Sequence, residues 1–327
     1  MIQVKGNYVY LGIGGHWYVY DRSKEPLGAG AMGVVYYGIE CSTNTPVAIK
    51  QVKEEYSNDM NIRNRARQEA TLMFSHPNLV EMVGLCESSP YDGPIYIVSK
   101  YVHGDTFDNF VKDKLNGMTK EKRIKTICDT VMPVFDALDY LHSKGILHMD
   151  IKPSNIMMEN YRNIRLMDLG IAYTEAYQSA NKSGMMGTPK YAAPEQFGAL
   201  GTRETVDTRT DIYELGVTIY ELLCMENPFL SNTFAELVEK HKNMVLPYNP
   251  SIPHEITDVL RKAAHPQKNF RYSTIAEFKH AFNGAVNKWW MEKLAPPATS
   301  SKKVLIFIFL VIFVITLVSL ITLILVL

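Results

Sequence analysis

The chain changes character partway along its length, and that change limits what it can fold into. Between Tyr8 and Tyr101 it keeps returning to short runs of aromatic and β-branched residues: Tyr8 to Leu11, His16 to Tyr20, Val34 to Ile39, Pro46 to Lys53, Leu79 to Cys86 and Ile95 to Tyr101. Such runs read as strands. Ser42-Thr43-Asn44 marks a turn between two of them, and one charged helical stretch, Asn61 to Phe74, interrupts the series. From Lys120 onward the pattern is mostly helical, over Ile124 to Lys144, Thr210 to Cys224, Thr233 to Lys242 and Ile256 to Ala264. A strand-rich part followed by a helix-rich part predicts an α+β chain of two lobes. The hinge falls near Ser99 to Gly104.

At 327 residues and 46% hydrophobic, the chain has material for a sizeable core. Lys+Arg and Asp+Glu are equal at 34 each, so overall charge gives no reason to expect a nucleic-acid partner. The four cysteines, Cys41, Cys86, Cys128 and Cys224, are far apart and read as free thiols in a reducing compartment. The first residues, Met-Ile-Gln-Val-Lys-Gly, have no apolar run suited to a cleaved secretory signal. The other end contrasts sharply. Val304 to Leu327 carries no charge, and only Thr316, Ser319 and Thr322 are polar. As a helix at about 1.5 Å per residue it would span roughly 36 Å, more than the roughly 30 Å hydrocarbon core of a bilayer. We expect a single transmembrane helix over 304–327, acting as a C-terminal tail anchor in the lipid bilayer. Lys302 and Lys303 on its N-terminal side favour a cytoplasmic location for the rest of the chain. Residues 294–303, with Ala295-Pro-Pro-Ala-Thr-Ser-Ser301 in their midst, form the linker.

Three segments carry chemistry. Leu27-Gly28-Ala29-Gly30-Ala31-Met32-Gly33-Val34-Val35 is a G-x-G-x-x-G-x-V loop, where missing side chains let a backbone approach phosphate. The β-branched and aromatic residues after it favour a strand over a helix. Gly12-Ile13-Gly14-Gly15 is instead a turn between N-terminal strands. Val47-Ala48-Ile49-Lys50 follows at the distance of one hairpin, and a lysine ending an apolar strand needs an anionic partner. Glu69 on the next helix is the best-placed carboxylate partner, with Glu54 and Glu55 as weaker alternatives. Finally, His148-Met149-Asp150-Ile151-Lys152-Pro153-Ser154-Asn155 gathers a carboxylate, an ammonium and an amide in one short stretch. Phosphoryl transfer calls for those groups together.

In this order the motifs resemble the Ser/Thr protein kinase family, and more narrowly the membrane-attached Hanks-type kinases of bacteria. The resemblance covers roughly Tyr20 to Lys293. It implies a bilobal protein-kinase fold, with a β-rich N-lobe over about 20–101 and an α-helical C-lobe over about 102–293, after a strand-like extension at 1–19. It implies ATP with Mg²⁺, or Mn²⁺ in its place, a protein substrate bearing Ser or Thr, and autophosphorylation in trans through self-association. Asp150 resembles the catalytic base and Lys152 the lysine beside the γ-phosphate. Asn155 and Asp168, the latter in Asp168-Leu169-Gly170, resemble the metal ligands. Gly28, Gly30 and Gly33 would cover the phosphates, and Lys50, held by Glu69, would contact them. Leu27, Val35 and Ala48 would lie above the adenine and Met157 below it, with backbone hydrogen bonds from Lys100 to Val102. Ser99 falls at the gatekeeper position, where either an open pocket or a neighbouring methionine fits. Met73, Met82, His148 and Leu169 would form an apolar column between the lobes. Gly187-Thr188-Pro189-Lys190-Tyr191-Ala192-Ala193-Pro194-Glu195 resembles the end of an activation segment. There Thr188 would bridge Asp150 and Lys152, and Glu195 would pair with Arg271. Asp211 resembles the aspartate that braces the catalytic loop.

The chief departure is Met149, where most of the family carries an arginine that grips an activation-loop phosphate. A thioether cannot do so, which suggests catalysis independent of phosphate docking there; Arg162 or Arg165 could instead supply the charge. The alternatives to an active kinase are a pseudokinase serving as a nucleotide-binding signalling scaffold, and a small-molecule phosphotransferase. Lys50, Asp150, Asn155 and Asp168 are all present, against the first. The intact Gly187 to Glu195 segment argues against the second.

Overall fold

The computed structural model describes residues 1–30, 33–71, 75–168, 189–202 and 204–295, without the side chains of Asn61, Arg65, Gln68, Glu69 and Ala199. The expected membrane segment, 304–327, lies outside the described residues. Among the described residues no helix is long and apolar enough to cross a membrane. Residues Met1–Val286 form one compact unit, and Asn287 begins a second.

The N-terminal part is built on one sheet of β1 (Ile2–Lys5), β2 (Tyr8–Ile13), β3 (His16–Asp21), β4 (Gly28–Ala29), β5 (Gly33–Glu40), β6 (Pro46–Val52), β7 (Met82–Glu87) and β8 (Ile95–Lys100). Its order is β1-β2-β3-β5-β6-β8-β7, with β4 paired to β5. The pairings are antiparallel. β1 and β2 extend the same sheet as the strands that follow. Gly14 and Gly15, both at positive φ, make the two-residue turn from β2 to β3.

Alternation along each strand gives the sheet two different faces. Val9, Leu11, Tyr18, Tyr20, Val47, Ile49, Tyr96, Val98 and Cys86 form a buried cluster on one of them. Val52, Ile95 and Ile97 face the other way, and Ile62 and Ala66 of α1 (Met60–Thr71) pack against them. Lys50 pairs with Val35 on one side and Ile97 on the other, so it shares the α1-facing side with Val35. The pleat thus gives the lysine its direction.

Beyond β8 a small antiparallel sheet, β11-β10-β9, is made from β9 (Gly104–Thr106), β10 (Ile156–Glu159) and β11 (Asn163–Leu166). Among the described residues the further α-helices are α2 (Phe107–Lys114), α3 (Lys120–Ser143), α4 (Thr208–Cys224), α5 (Phe234–Asn243), α6 (His254–Ala263) and α7 (Ile275–Leu294). On α3, Ile124, Ile127, Cys128, Val131, Val134, Phe135, Leu138 and Leu141 are buried, a stripe at helical spacing. The Thr119 side chain caps its start by accepting from the Lys122 N–H.

Helix α4 is the central strut, buried along nearly its whole length from Thr210 to Leu223. Asp207 caps its N-terminus, and Met225 ends it in the left-handed conformation at φ 62°. Gly216 lets α6 come close, since a Cβ there would sit 3.1 Å from Ala263 Cβ.

At the far side of α4, His241 of α5 is fully buried. It stacks on Phe229 with ring centroids 3.9 Å apart and shares a 2.7 Å hydrogen bond with the Tyr213 hydroxyl. Burial drives its pKa from 6.5 down to about 3. Between those values the unfolded chain takes up a proton that the folded one refuses, so this site loses stability as pH falls through that window. Thermal unfolding followed from about pH 7 to about pH 4.5 should show a shallower fall of Tm in His241→Phe than in wild type. Equal slopes in the two proteins would rule out His241 as an acid-sensitive point.

Candidate active site

The segment from His148 to Asn155 runs across one side of α4. Asp211, in the first turn of that helix, accepts from the His148 N–H at 2.9 Å through Oδ2 and from the Met149 N–H at 2.9 Å through Oδ1. His142 Nε2 lies 2.7 Å from the same Oδ2. Met149 needs this support. Its φ is 68°, a left-handed conformation that costs a non-glycine residue roughly 1–2 kcal/mol. Hydrogen bonds to a charged group contribute about 1.5–3 kcal/mol each, enough to hold the strain.

Burial keeps His148 neutral by pushing its pKa down. Its Nε2 lies 3.2 Å from the Met167 carbonyl oxygen, which only accepts, so the proton sits on Nε2. Nδ1 is then free to accept from the Asp150 N–H at 3.4 Å.

Asp150 comes next. Its Oδ2 lies 2.7 Å from Lys152 Nζ and 3.0 Å from Asn155 Nδ2. Asn155 Nδ2 also donates to the Asp150 carbonyl at 2.8 Å. Both amide protons of Asn155 are thereby spent on Asp150, leaving its amide oxygen as the group with ligand capacity.

Across the cleft, Lys50 Nζ donates to Asp168 Oδ1 at 3.3 Å. The Lys50 ammonium holds the Asp168 carboxyl below the usual carboxylate range, and Lys152 adds to the effect. Asp168, like Met149, has a positive φ, of 52°. An anionic carboxylate and an amide oxygen are hard donors suited to Mg²⁺ or Mn²⁺. The donor set therefore fits the expected metal.

Of the glycine loop, Gly28 opens β4 and Gly33 opens β5. The Leu27 N–H donates to Val35 at 2.8 Å, and the Gly30 N–H to Gly33 at 2.9 Å. A Cβ on Gly28 or Gly30 would meet nothing within 4 Å, the open approach a phosphate needs; on Gly33 it would fall 2.5 Å from the Gln51 carbonyl oxygen. Leu27 is 48% exposed, an apolar side chain without full cover at the mouth of the cleft. Val35 and Ala48 lie on the same sheet face as Lys50, by the pairings Val35↔Lys50 and Tyr37↔Ala48. Met157, half-buried, is the middle of the small sheet, between Thr106 and Arg165. Lys100 closes β8, where its N–H donates to the Glu81 carbonyl at 2.9 Å, and Val102 follows in the turn to β9. Met82 pairs directly with Ser99, placing a methionine beside the small gatekeeper position.

The structural residues also meet. Arg271 and Glu195 form a two-pronged ion pair at 2.7 and 2.9 Å with both side chains fully buried. Thr210 donates to Glu195, and the rest of the guanidinium is taken by the carbonyls of Arg209, His265 and Pro266. A buried pair so completely bonded avoids the penalty of an orphaned charge. Thr188, Leu169 and Met73 lie outside the described residues, and so does the side chain of Glu69; its backbone lies on α1.

Three contributors were not anticipated. Glu214 accepts from the Ile151 N–H at 2.8 Å, Gln196 donates to the Met149 carbonyl at 3.2 Å, and Thr218 donates to the Ile151 carbonyl at 2.9 Å. A signal was present: Asp211, Glu214 and Thr218 are spaced i, i+3, i+7, one stripe of a helix. Met149 itself is buried with Ala192, Phe197, Leu237 and Val238. Arg165, one candidate for a replacement charge, is paired with Glu159 at 2.9 Å.

The comparisons agree with this geometry. The protein kinase domain family matches residues 22–283. The chain is 33% identical over 269 residues to the probable serine/threonine-protein kinase PknB of Bifidobacterium longum, across 77% of this chain and 38% of that protein. It is 32% identical over 269 residues to the serine/threonine-protein kinase PrkC of Bacillus subtilis, across 79% of this chain and 40% of that protein. It thus spans about two fifths of the length of the curated relatives it matches. Among solved structures, the PknI kinase domain of Mycobacterium tuberculosis superposes with a TM-score of 0.64 at 24% identity, covering 87% of this chain and all of that one, and so shares the fold. From its strand-rich first lobe to its buried Glu195–Arg271 pair, this chain belongs to the protein kinase family.

Proposed function

We propose that this chain is a Ser/Thr protein kinase that moves the γ-phosphoryl group of ATP to a Ser or Thr hydroxyl of a protein, its own included. We take residues 20–293 as the kinase domain. The observation that carries the reading is the meeting of Asp150, Lys152, Asn155 and Asp168 on one side of the cleft with Lys50, which reaches Asp168 from the other. Lys152 and Asn155 both hold Oδ2 of Asp150, which turns Oδ1 toward an incoming hydroxyl. Asp150 orients that hydroxyl and takes up its hydrogen bond, while Lys152 offers positive charge to the phosphate being moved. Lys50, with Glu69 as its carboxylate partner, fixes the phosphates under Gly28, Gly30 and Gly33. Leu27, Val35, Ala48 and Met157 sandwich the base, and the backbone of Lys100 to Val102 hydrogen-bonds its edge. Asn155 and Asp168 would hold Mg²⁺ or Mn²⁺, which offsets the phosphate charge. Positioning and charge, more than covalent chemistry, do the catalysis.

Transfer of labelled phosphate from ATP to a generic protein acceptor tests the reading. Asp150→Ala should slow turnover by about 10²–10⁴-fold, the usual worth of such a group, with nucleotide affinity little changed. Wild-type rates in that variant would dismiss Asp150 as the base.

We further read 304–327 as a membrane anchor, supported by its uncharged length and by Lys302 and Lys303 beside it. Anchoring in a plane would favour self-association and phosphorylation in trans. The full chain should float with liposomes on a density gradient, and a chain ending at Ala295 should stay in the dense fractions. Co-flotation of both would place membrane binding elsewhere.

A further inference from the structure

Glu214 is a buried carboxyl with no part in the chemistry just described. It is 1% exposed and stands one turn beyond Asp211 on α4, beneath the segment that carries Asp150. Its two oxygens are both acceptors: Oε2 takes the Ile151 N–H at 2.8 Å, and Oε1 takes Gln196 Nε2 at 2.8 Å. Gln196 is itself buried and spends that same nitrogen on the Met149 carbonyl at 3.2 Å. Its oxygen accepts from the Ala193 N–H at 2.5 Å. Gln196 also directly follows Glu195, which the buried pair with Arg271 fixes in place. The peptide link from Glu195 to Gln196 thus joins the Arg271–Glu195 pair to polar contacts with the backbone on both sides of Asp150: the Met149 carbonyl before it, taken by Gln196, and the Ile151 N–H after it, taken by Glu214.

We propose that Glu214 and Gln196 are a positioning pair that sets the backbone around Asp150 and couples it to the Pro194–Leu200 turn. This deepens the kinase reading and rests on it. The pair acts where Met149 leaves no guanidinium to tie the loop to a phosphate. Burial, with Asp211 nearby, pushes the Glu214 pKa well up, while the hydrogen bonds from Ile151 and Gln196 act in the opposite direction. A carboxylate accepts on both oxygens, as these two hydrogen bonds require. An amide does not, because its nitrogen only donates. Glu214→Gln keeps size and shape yet sets an NH₂ against either the Ile151 N–H or the Gln196 NH₂, whichever way it flips.

The test is amide hydrogen exchange at Met149 to Lys152 together with steady-state kinetics, on the full chain. Glu214→Gln should speed exchange at Ile151 and lower kcat by about ten- to a hundredfold, the scale expected for a displaced catalytic group, with the KM for ATP within about twofold of wild type. The double variant Glu214→Gln/Gln196→Glu restores complementarity between the two side chains, and should recover part of kcat. Unchanged exchange at Ile151 in Glu214→Gln would overturn the assignment. Faster exchange with unchanged kcat would overturn its role in catalysis. Should Glu214→Gln fail to fold, Gln196→Leu, which removes the donor shared by Met149 and Glu214 together with the acceptor of the Ala193 N–H, must lower kcat in the same way or the proposal falls. A wild-type chain without phosphotransfer would count against the kinase reading itself, and the exchange data would still decide whether the pair sets the loop.

Discussion

The Asp211 carboxylate is the contact on which the rest of the active centre depends. Its two oxygens take the N–H groups of His148 and Met149, and Met149 is held at a φ of 68° that it would not adopt unaided. That strain turns the chain so that Asp150 faces the cleft. A brace of this kind must not move, and α4 is suited to it because the helix is buried along nearly its whole length. The same stripe supplies Glu214 to the Ile151 N–H and Thr218 to the Ile151 carbonyl. Around Asp150 the backbone polar groups are thus met by side chains, which a buried loop outside any helix or sheet requires.

The first lobe solves the corresponding problem for Lys50. The pleat sends the lysine to the α1-facing side, and α1 is pinned by more than apolar packing. Arg63 is fully buried, and donates to the carbonyls of Ser57, Ser89, Pro90 and Gly93 and to Glu87. Arg67 grips the same Glu87 carboxylate with two nitrogens, at 2.9 and 3.0 Å. One carboxylate on β7 thereby ties down two arginines one turn apart. A guanidinium has five donors and no alternative to charge, so burying it at a helix start commits the helix to that position.

Much of this was legible in the sequence, for a physical reason. Strands with one buried face alternate, and β2, β3 and most of β6 show it, while β8, with four buried residues in a row, reads as a continuous apolar run. Where burial is slight the signal fades: β1 is Ile-Gln-Val-Lys with three of four residues exposed, and went unread. β9, only Gly-Asp-Thr, has no strand preference of its own and exists because Met157 to Glu159 pair with it. The predicted strand from Leu79 begins instead at Met82, and Leu79 makes a lone bridge to Leu166. Helices α2 and α7 also went unread. Catalytic groups announce themselves through motifs whose spacing the chemistry sets. Glu214 and Gln196 do not, because a polar residue buried for its hydrogen bonds has the same letter as one in solvent.

Met149 shows how far one substitution can alter the way a site is held. Its thioether is sealed among Ala192, Phe197 of the Pro194–Leu200 turn, and Leu237 and Val238 from α5. Flexible and polarizable, methionine fills such an irregular gap well. Arg165 already serves Glu159. Among the described residues, the segment carrying Asp150 meets residues 189–200 through apolar packing plus the buried Gln196–Glu214 bridge, neither of which ionic strength screens in the way it screens an exposed arginine–phosphate pair. A loop held by packing is ordered as soon as the lobe has folded, and the place to look for control shifts from charge at position 149 to the segment that Gln196 ties down.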